Sequence, residues 1–146
     1  MSSRNGVLQV ALTRRVTFAA AHRYRRADWS EEKNYAVFGA CANPNFHGHS
    51  YSCDVTVSGP IDEGTGMIVD LARLDRVLAA EVRDRFDHRN INTDVPEFAD
   101  GRLIPTGENL ARFILEQVQA ALGAQPLVTS VTLAEDATLS ATCSAQ

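Results

Sequence analysis

Apolar side chains occupy every second position over much of the stretch from Leu8 to His22: Leu8, Val10 and Leu12, then Val16, Phe18 and Ala20, with Arg14 interrupting the series. A period of two predicts a strand with one covered face. The second alternation is cleaner. Tyr51, Cys53, Val55 and Val57 fall on one face, Ser52, Asp54, Thr56 and Ser58 on the other, and Gly59-Pro60 stops the run. His47 and His49 share the parity of the apolar face. A strand that extends back to residue 47 without a bulge therefore carries both rings to the covered end of the sheet. The period then lengthens. Leu71, Leu74, Leu78, Val82 and Phe86 recur at steps of three and four, which predicts a helix capped by Asp70. Leu110, Phe113, Ile114, Val118 and Leu122 predict a second helix, capped by Thr106 and ended by Gly123. Two further strands follow, over 127–135 and 138–143, with a polar turn at Asp136 between them. Residues 23–46 show no sustained period and read as a long loop of functional interest.

The order β, β, α, α, β, β predicts an α+β fold: a four-stranded antiparallel sheet with both helices packed on one face. The sequence has 146 residues and is 45% hydrophobic, enough for one domain over 1–146 with its own core and too short for two of ordinary size. Such a sheet has two exposed edges that a homo-oligomer could pair.

Charge and cysteine usage narrow the classes. The net charge is −4 and no Lys/Arg run is present, so no nucleic-acid partner is expected. Arg23, Arg25 and Arg26 are the one local concentration of positive charge, readable as a solvated loop or as a phosphate contact. No apolar run approaches the ~20 residues of a membrane span, so no membrane partner is expected. The segment Met1–Gly6 lacks the apolar core of a secretory signal. Cys41, Cys53 and Cys143 form an odd, irregularly spaced set that reads as free thiols in a reducing cytoplasm.

The chemistry concentrates on the four histidines. His47-Gly48-His49 places two imidazoles on the same side of an extended segment, with no side chain on the glycine between them. His22, at the end of the first strand, can face them from a neighbouring strand. A His-x-His pair also occurs as a plain polar strand face, but here it lies close to Cys41, Asn43 and Asn45. Three neutral histidines leave a tetrahedral Zn2+ one open position, as catalytic sites do. The fourth histidine sits in Asp87-His88, a carboxylate beside an imidazole, suited to general-base work.

The string from Asn34 to Tyr51, NYAVFGACANPNFHGHSY, resembles the signature of the 6-pyruvoyl-tetrahydropterin synthase and 6-carboxytetrahydropterin synthase family. The resemblance extends through FAAAH at 18–22, TGMIVDL at 65–71, DHRNIN at 87–92 and PTGENLA at 105–111, in family order. What it implies is a tunnelling fold. Trimer sheets would join into a barrel, and two trimers would make a hexamer. It further implies a zinc-dependent lyase acting on 7,8-dihydroneopterin triphosphate with elimination of triphosphate. The zinc ligands would fall on His22, His47 and His49, the thiol base on Cys41, the acid-base pair on Asp87 and His88, and the pterin anchor on Glu135, helped by Thr106 and Glu108. The five residues from Ala42 to Phe46 resemble the spacing of the pyruvoyl type. The alternatives are a 6-carboxytetrahydropterin synthase releasing a two-carbon aldehyde, a zinc- and pterin-binding module without turnover, and a metal-free aldolase of the same fold. Two positions depart from the family pattern. Phe46 stands where many relatives carry Gly, and Asp136 stands where Thr is common.

Overall fold

The computed structural model describes residues 8–146; Met1–Gly6, read above for its lack of a secretory core, lies outside the described residues. The elements run β1 (Val10–His22), α1 (Glu31–Phe38), β2 (His47–Gly59), α2 (Leu71–Leu78), α3 (Asp84–Phe86), β3 (Arg89–Asn90), α4 (Ile91–Asp94), α5 (Gly107–Leu122), β4 (Leu127–Ala134) and β5 (Ser140–Ser144). They form one sheet in the order β3-β1-β2-β4-β5. The expected four-stranded antiparallel sheet is corrected to a five-stranded mixed one: β3 pairs parallel to β1, through Ala20 and Ala21. At two residues, β3 is too short to show any period in the sequence.

β1 and β2 pair without a break from Val10↔Gly59 to His22↔His47. This unbroken register keeps the apolar parity of β2 running into the histidine pair. Phe18, Ala20, Tyr51, Cys53, Val55, Val57, Val131 and Leu133 turn to one face of the sheet and are buried there. Leu74 and Leu78 of α2 and the apolar stripe of α5 cover that same face. Full burial of each phenylalanine, valine and leucine among them contributes about 1.5–3 kcal/mol, so this face and its two helices form the core.

Both helix caps are as expected. The Asp70 carboxylate accepts from Ala72 N at 3.1 Å, and the Thr106 hydroxyl accepts from Asn109 N at 3.2 Å. The first helix does continue to Phe86, but through a π turn at Ala79–Arg83 of which the apolar spacing gives no sign. Arg14, which broke the alternation of β1, donates from Nε and Nη2 to the Asp75 carboxylate of α2 at 2.8 and 3.0 Å. It thus spans from the uncovered half of β1 to the rim of the helical layer.

The region expected as a loop contains α1, which has little amphipathic pattern. Its start is a polar one: the Ser30 hydroxyl accepts from Lys33 N at 3.1 Å, and Glu31 and Glu32 occupy the first turn. Asn34 is buried and ties the loop together, accepting from Arg26 N and donating to Arg26 O and Ser30 O. A 3₁₀ turn, Gly39–Ala42, then carries Cys41 back toward the sheet, and the Cys41 carbonyl accepts from Tyr24 N at 2.7 Å.

Candidate functional site

His22, His47 and His49 converge. Their candidate ligand atoms all lie within 4.8 Å of one another, and His22 Nε2 is 3.0 Å from His47 Nε2. Two nitrogens bound to one tetrahedral zinc ion at about 2.0–2.1 Å would stand about 3.3 Å apart, so the rings need little movement to share an ion. His22 is fully buried, and its orientation is fixed from behind: the Tyr51 hydroxyl meets Nδ1 at 2.8 Å. Such outer partners hold a ligating imidazole in place. His49 Nε2 is buried with no hydrogen-bond partner. A buried, unpartnered ring nitrogen beside two other imidazole nitrogens is a donor set suited to a metal ion, so these residues fit one.

The electrostatics agree. Burial, followed by His47 and His49, pushes the His22 pKa down to about 3, and burial lowers that of His47. Both rings are neutral at neutral pH, the form that binds metal. Gly48 does not serve to clear space between the two rings. Its missing side chain would point to the other face of the sheet, 3.4 Å from Ala20 O.

Glu135, at the end of β4, is buried beside the cluster. One carboxylate oxygen accepts from the Tyr24 hydroxyl at 2.9 Å and stands 4.0 Å from His22 Nε2; the other stands 3.8 Å from His49 Nε2. Burial and then the Glu135 carboxylate hold the Tyr24 phenol well above its usual range, so it remains a donor. The same two causes raise the Cys41 thiol. Without a cation nearby it is a thiol and not a thiolate at neutral pH, so any base role requires positive charge at the histidines.

Glu135, Thr106 and Glu108 line one cavity of about 250 Å³, with Tyr24, Phe38 and Ala141 among the other walls. The structure therefore brings together the three residues expected to hold substrate. Thr106 has a structural duty as well, since its hydroxyl caps α5. Asp136, the departure after Glu135, does not face this cavity: its carboxylate closes the β4–β5 turn, accepting from Thr138 N, Thr138 Oγ1 and Leu139 N.

Asp87 and His88 are paired but stand apart from the cluster. Asp87 Oδ2 lies 3.0 Å from His88 Nδ1, and Asp87 Oδ1 accepts from Ala19 N at 3.0 Å. His88 donates its backbone N–H to Ala19 O and holds φ at 58°, a left-handed conformation that costs a non-glycine residue energy. Its side chain is 84% exposed. It borders a shallow cavity whose floor includes Ala19, Ala21, Gly48 and Ser50, the sheet face opposite the histidine rings.

Tyr24 and Tyr51 were missed in the sequence. Both were within reach, because Tyr51 continues the parity of His47 and His49, and Tyr24 continues that of His22.

A small α+β domain whose helix-covered sheet brings three histidines beside a carboxylate-lined cavity is the class that fold and site define. The chain belongs to the 6-pyruvoyl tetrahydropterin synthase family, whose sequence profile matches residues 11–146. It is similar to the 6-pyruvoyl tetrahydrobiopterin synthase of Homo sapiens, with 42% identity over 114 residues, 78% of this chain and 77% of that protein. The structure of Caenorhabditis elegans 6-pyruvoyl tetrahydropterin synthase superposes with a TM-score of 0.87 at 32% identity, covering 95% of this chain and 97% of that one. A more distant relative, dihydroneopterin monophosphate aldolase of Pyrococcus furiosus, is 30% identical over 105 residues, 72% of this chain and 71% of that protein.

Proposed function

We propose that this family member is a zinc-dependent 6-pyruvoyl-tetrahydropterin synthase, converting 7,8-dihydroneopterin triphosphate with elimination of triphosphate. The observation that carries the reading is the convergence of His22, His47 and His49, with His49 Nε2 buried and unpartnered, beside a cavity lined by Glu108 and Glu135. The three histidines would hold zinc, which when bound supplies Lewis acidity toward the substrate's side-chain hydroxyls and makes the adjoining C–H bonds more acidic.

The remaining work falls to the chain's own groups. Glu135, with Glu108 beside it, accepts from the amino group and ring N–H of a pterin, an acceptor pattern that also repels phosphate from this cavity. Thr106 lines the same wall. Cys41 exchanges a proton with the side-chain carbons once positive charge at the histidines favours its thiolate. Asp87 fixes His88 through Nδ1 and leaves the other ring nitrogen for proton transfer. That pair is exposed on the far face of the sheet, so it serves a site completed by a neighbouring copy. This favours a homo-oligomer in which the subunit sheets join into a barrel, as a trimer or as a hexamer of two trimers. Along β1 only Ala20 and Ala21 are paired with β3, which leaves most of that edge for such a junction.

One core spanning sheet and helices supports a single domain over 1–146, and three free thiols fit a cytoplasmic setting. Among the described residues no helix is long and apolar enough to cross a membrane. The relatives compared give no support to the 6-carboxytetrahydropterin alternative. A pterin-binding module without turnover would not need Cys41, Asp87 and His88, and a metal-free aldolase would not need three convergent histidines.

Metal analysis combined with turnover tests this reading. Protein purified without chelator should hold about one zinc per subunit, lose it in His49→Ala, and regain activity on 7,8-dihydroneopterin triphosphate when a chelated sample is reloaded. Zinc retained in His49→Ala, or turnover unaffected by chelation, would remove the histidine cluster from the mechanism.

A further inference from the structure

Away from the histidines, one cavity is lined by cations. Arg25, Arg26 and Arg102 face a volume of about 300 Å³, with Asp28 as the carboxylate in its lining. Its walls are the segments 25–28 and 101–104, and both run directly into the acid-lined cavity. Tyr24 precedes Arg25, and Thr106 follows Ile104 by two residues. The two cavities have no lining residue in common, but neighbouring residues of the same two segments line both.

The arginines differ in how far they are committed. Arg25 donates to Glu31 Oε1 from Nε and Nη2, at 3.2 and 2.9 Å, and also feels Asp100. Arg26 grips Asp28 through two bonds of 2.9 and 2.8 Å. These pairs use two of the five N–H donors on each guanidinium and hold its plane in position. Arg102 has no side-chain hydrogen bond or ion pair among the described residues. With Glu31 and Asp100 acting on Arg25 and Asp28 paired with Arg26, Arg102 is, among the described residues, the cation of this lining left without a partner, on segments that continue into a cavity holding two carboxylates. A ligand with ring N–H donors at one end and a polyphosphate at the other matches this division of charge, because phosphate is repelled from Glu108 and Glu135 and gains forked hydrogen bonds from arginine.

We propose that the Arg25–Arg26–Arg102 cavity is the subsite for the polyphosphate tail of the substrate, with Arg102 as its uncommitted cation. The identity of the tail rests on the function proposed above; the existence of an anion subsite does not. Calorimetric titration of the full chain with inorganic tripolyphosphate, neopterin and neopterin triphosphate tests both. The proteins to compare are the wild type, Arg102→Ala and, as a control for general surface charge, Arg112→Ala on the outer face of α5. Arg102→Ala should weaken tripolyphosphate and neopterin triphosphate about tenfold, the loss of one charge-assisted hydrogen bond, and leave neopterin unchanged. Arg112→Ala should match the wild type. The subsite is overturned if tripolyphosphate fails to bind the wild type, if Arg102→Ala binds it equally well, or if Arg112→Ala loses as much. Selective loss of tripolyphosphate in Arg102→Ala, with no neopterin binding by any of the proteins, would uphold the subsite and reject the pterin reading.

Discussion

Phe46 explains its own departure from the family pattern. Its φ of 64° is a conformation that glycine adopts freely and that costs a side-chain-bearing residue about 1–2 kcal/mol. Glycine is therefore the natural occupant, and phenylalanine needs compensation. The Arg23 guanidinium lies 5.3 Å from its ring centroid, a cation–π contact worth about 0.5–1 kcal/mol when partly exposed. Phe46→Gly relieves the strain, but it loses this contact and makes the unfolded chain more flexible by about 0.4–1 kcal/mol. These effects nearly cancel. Urea denaturation of Phe46→Gly should give a stability within about 1 kcal/mol of wild type, whereas a loss above about 2 kcal/mol would mean that the ring packs against more than Arg23. Neither the positive φ nor the compensating arginine was read from the sequence, and the arginine comes from the end of a different strand.

At the scale of elements, legibility followed the strength of periodic burial. β1, β2 and the two long helices were readable because each lays one apolar face on the same core, and their register then fixed the three histidines on that face. α1 was not readable, because it buries Asn34 rather than an apolar stripe, and only Ser30 with Glu31 and Glu32 marked its start. β3 was not readable either: two residues hold it to β1, and the segment before it is tied to Ala19 by one backbone bond from His88 and one bond to the Asp87 side chain. Thr106 shows how an element and a site depend on one residue. Thr106→Ala should cost about 0.5–2 kcal/mol through the lost cap of α5, and Thr106→Ser should recover most of it in the same urea denaturation series. Equal stability of the Ala variant and wild type would mean that the cap contributes nothing and that Thr106 serves the cavity alone.

At the scale of the whole molecule, the buried imidazoles couple folding to pH. The pKa of His22 is about 3 in the fold against 6.5 as its ordinary value, with burial as the first cause. Between those values the unfolded chain binds a proton that the native ring refuses, so stability rises with pH through this window and falls as acid is added. His47 shifts in the same direction. The lowered carboxyls of Asp54 and Asp87 add their own loss only at lower pH, where carboxylates protonate. Metal-free protein should therefore lose stability on going from about pH 7 to pH 5, before the carboxylates contribute. A midpoint of urea denaturation that stays constant across that range would contradict the burial of neutral imidazoles. Where Asp87 and His88 stand was beyond the sequence, because parity assigns a face only within a strand and they precede one.

The central claim is that this site eliminates triphosphate and keeps every side-chain carbon. Mass analysis of the products from zinc-loaded protein and 7,8-dihydroneopterin triphosphate tests it most directly. The account predicts inorganic triphosphate and a 6-pyruvoyl-tetrahydropterin that retains all three side-chain carbons. A pterin shortened by two carbons together with a released aldehyde, or no product from fully metallated protein, would contradict it.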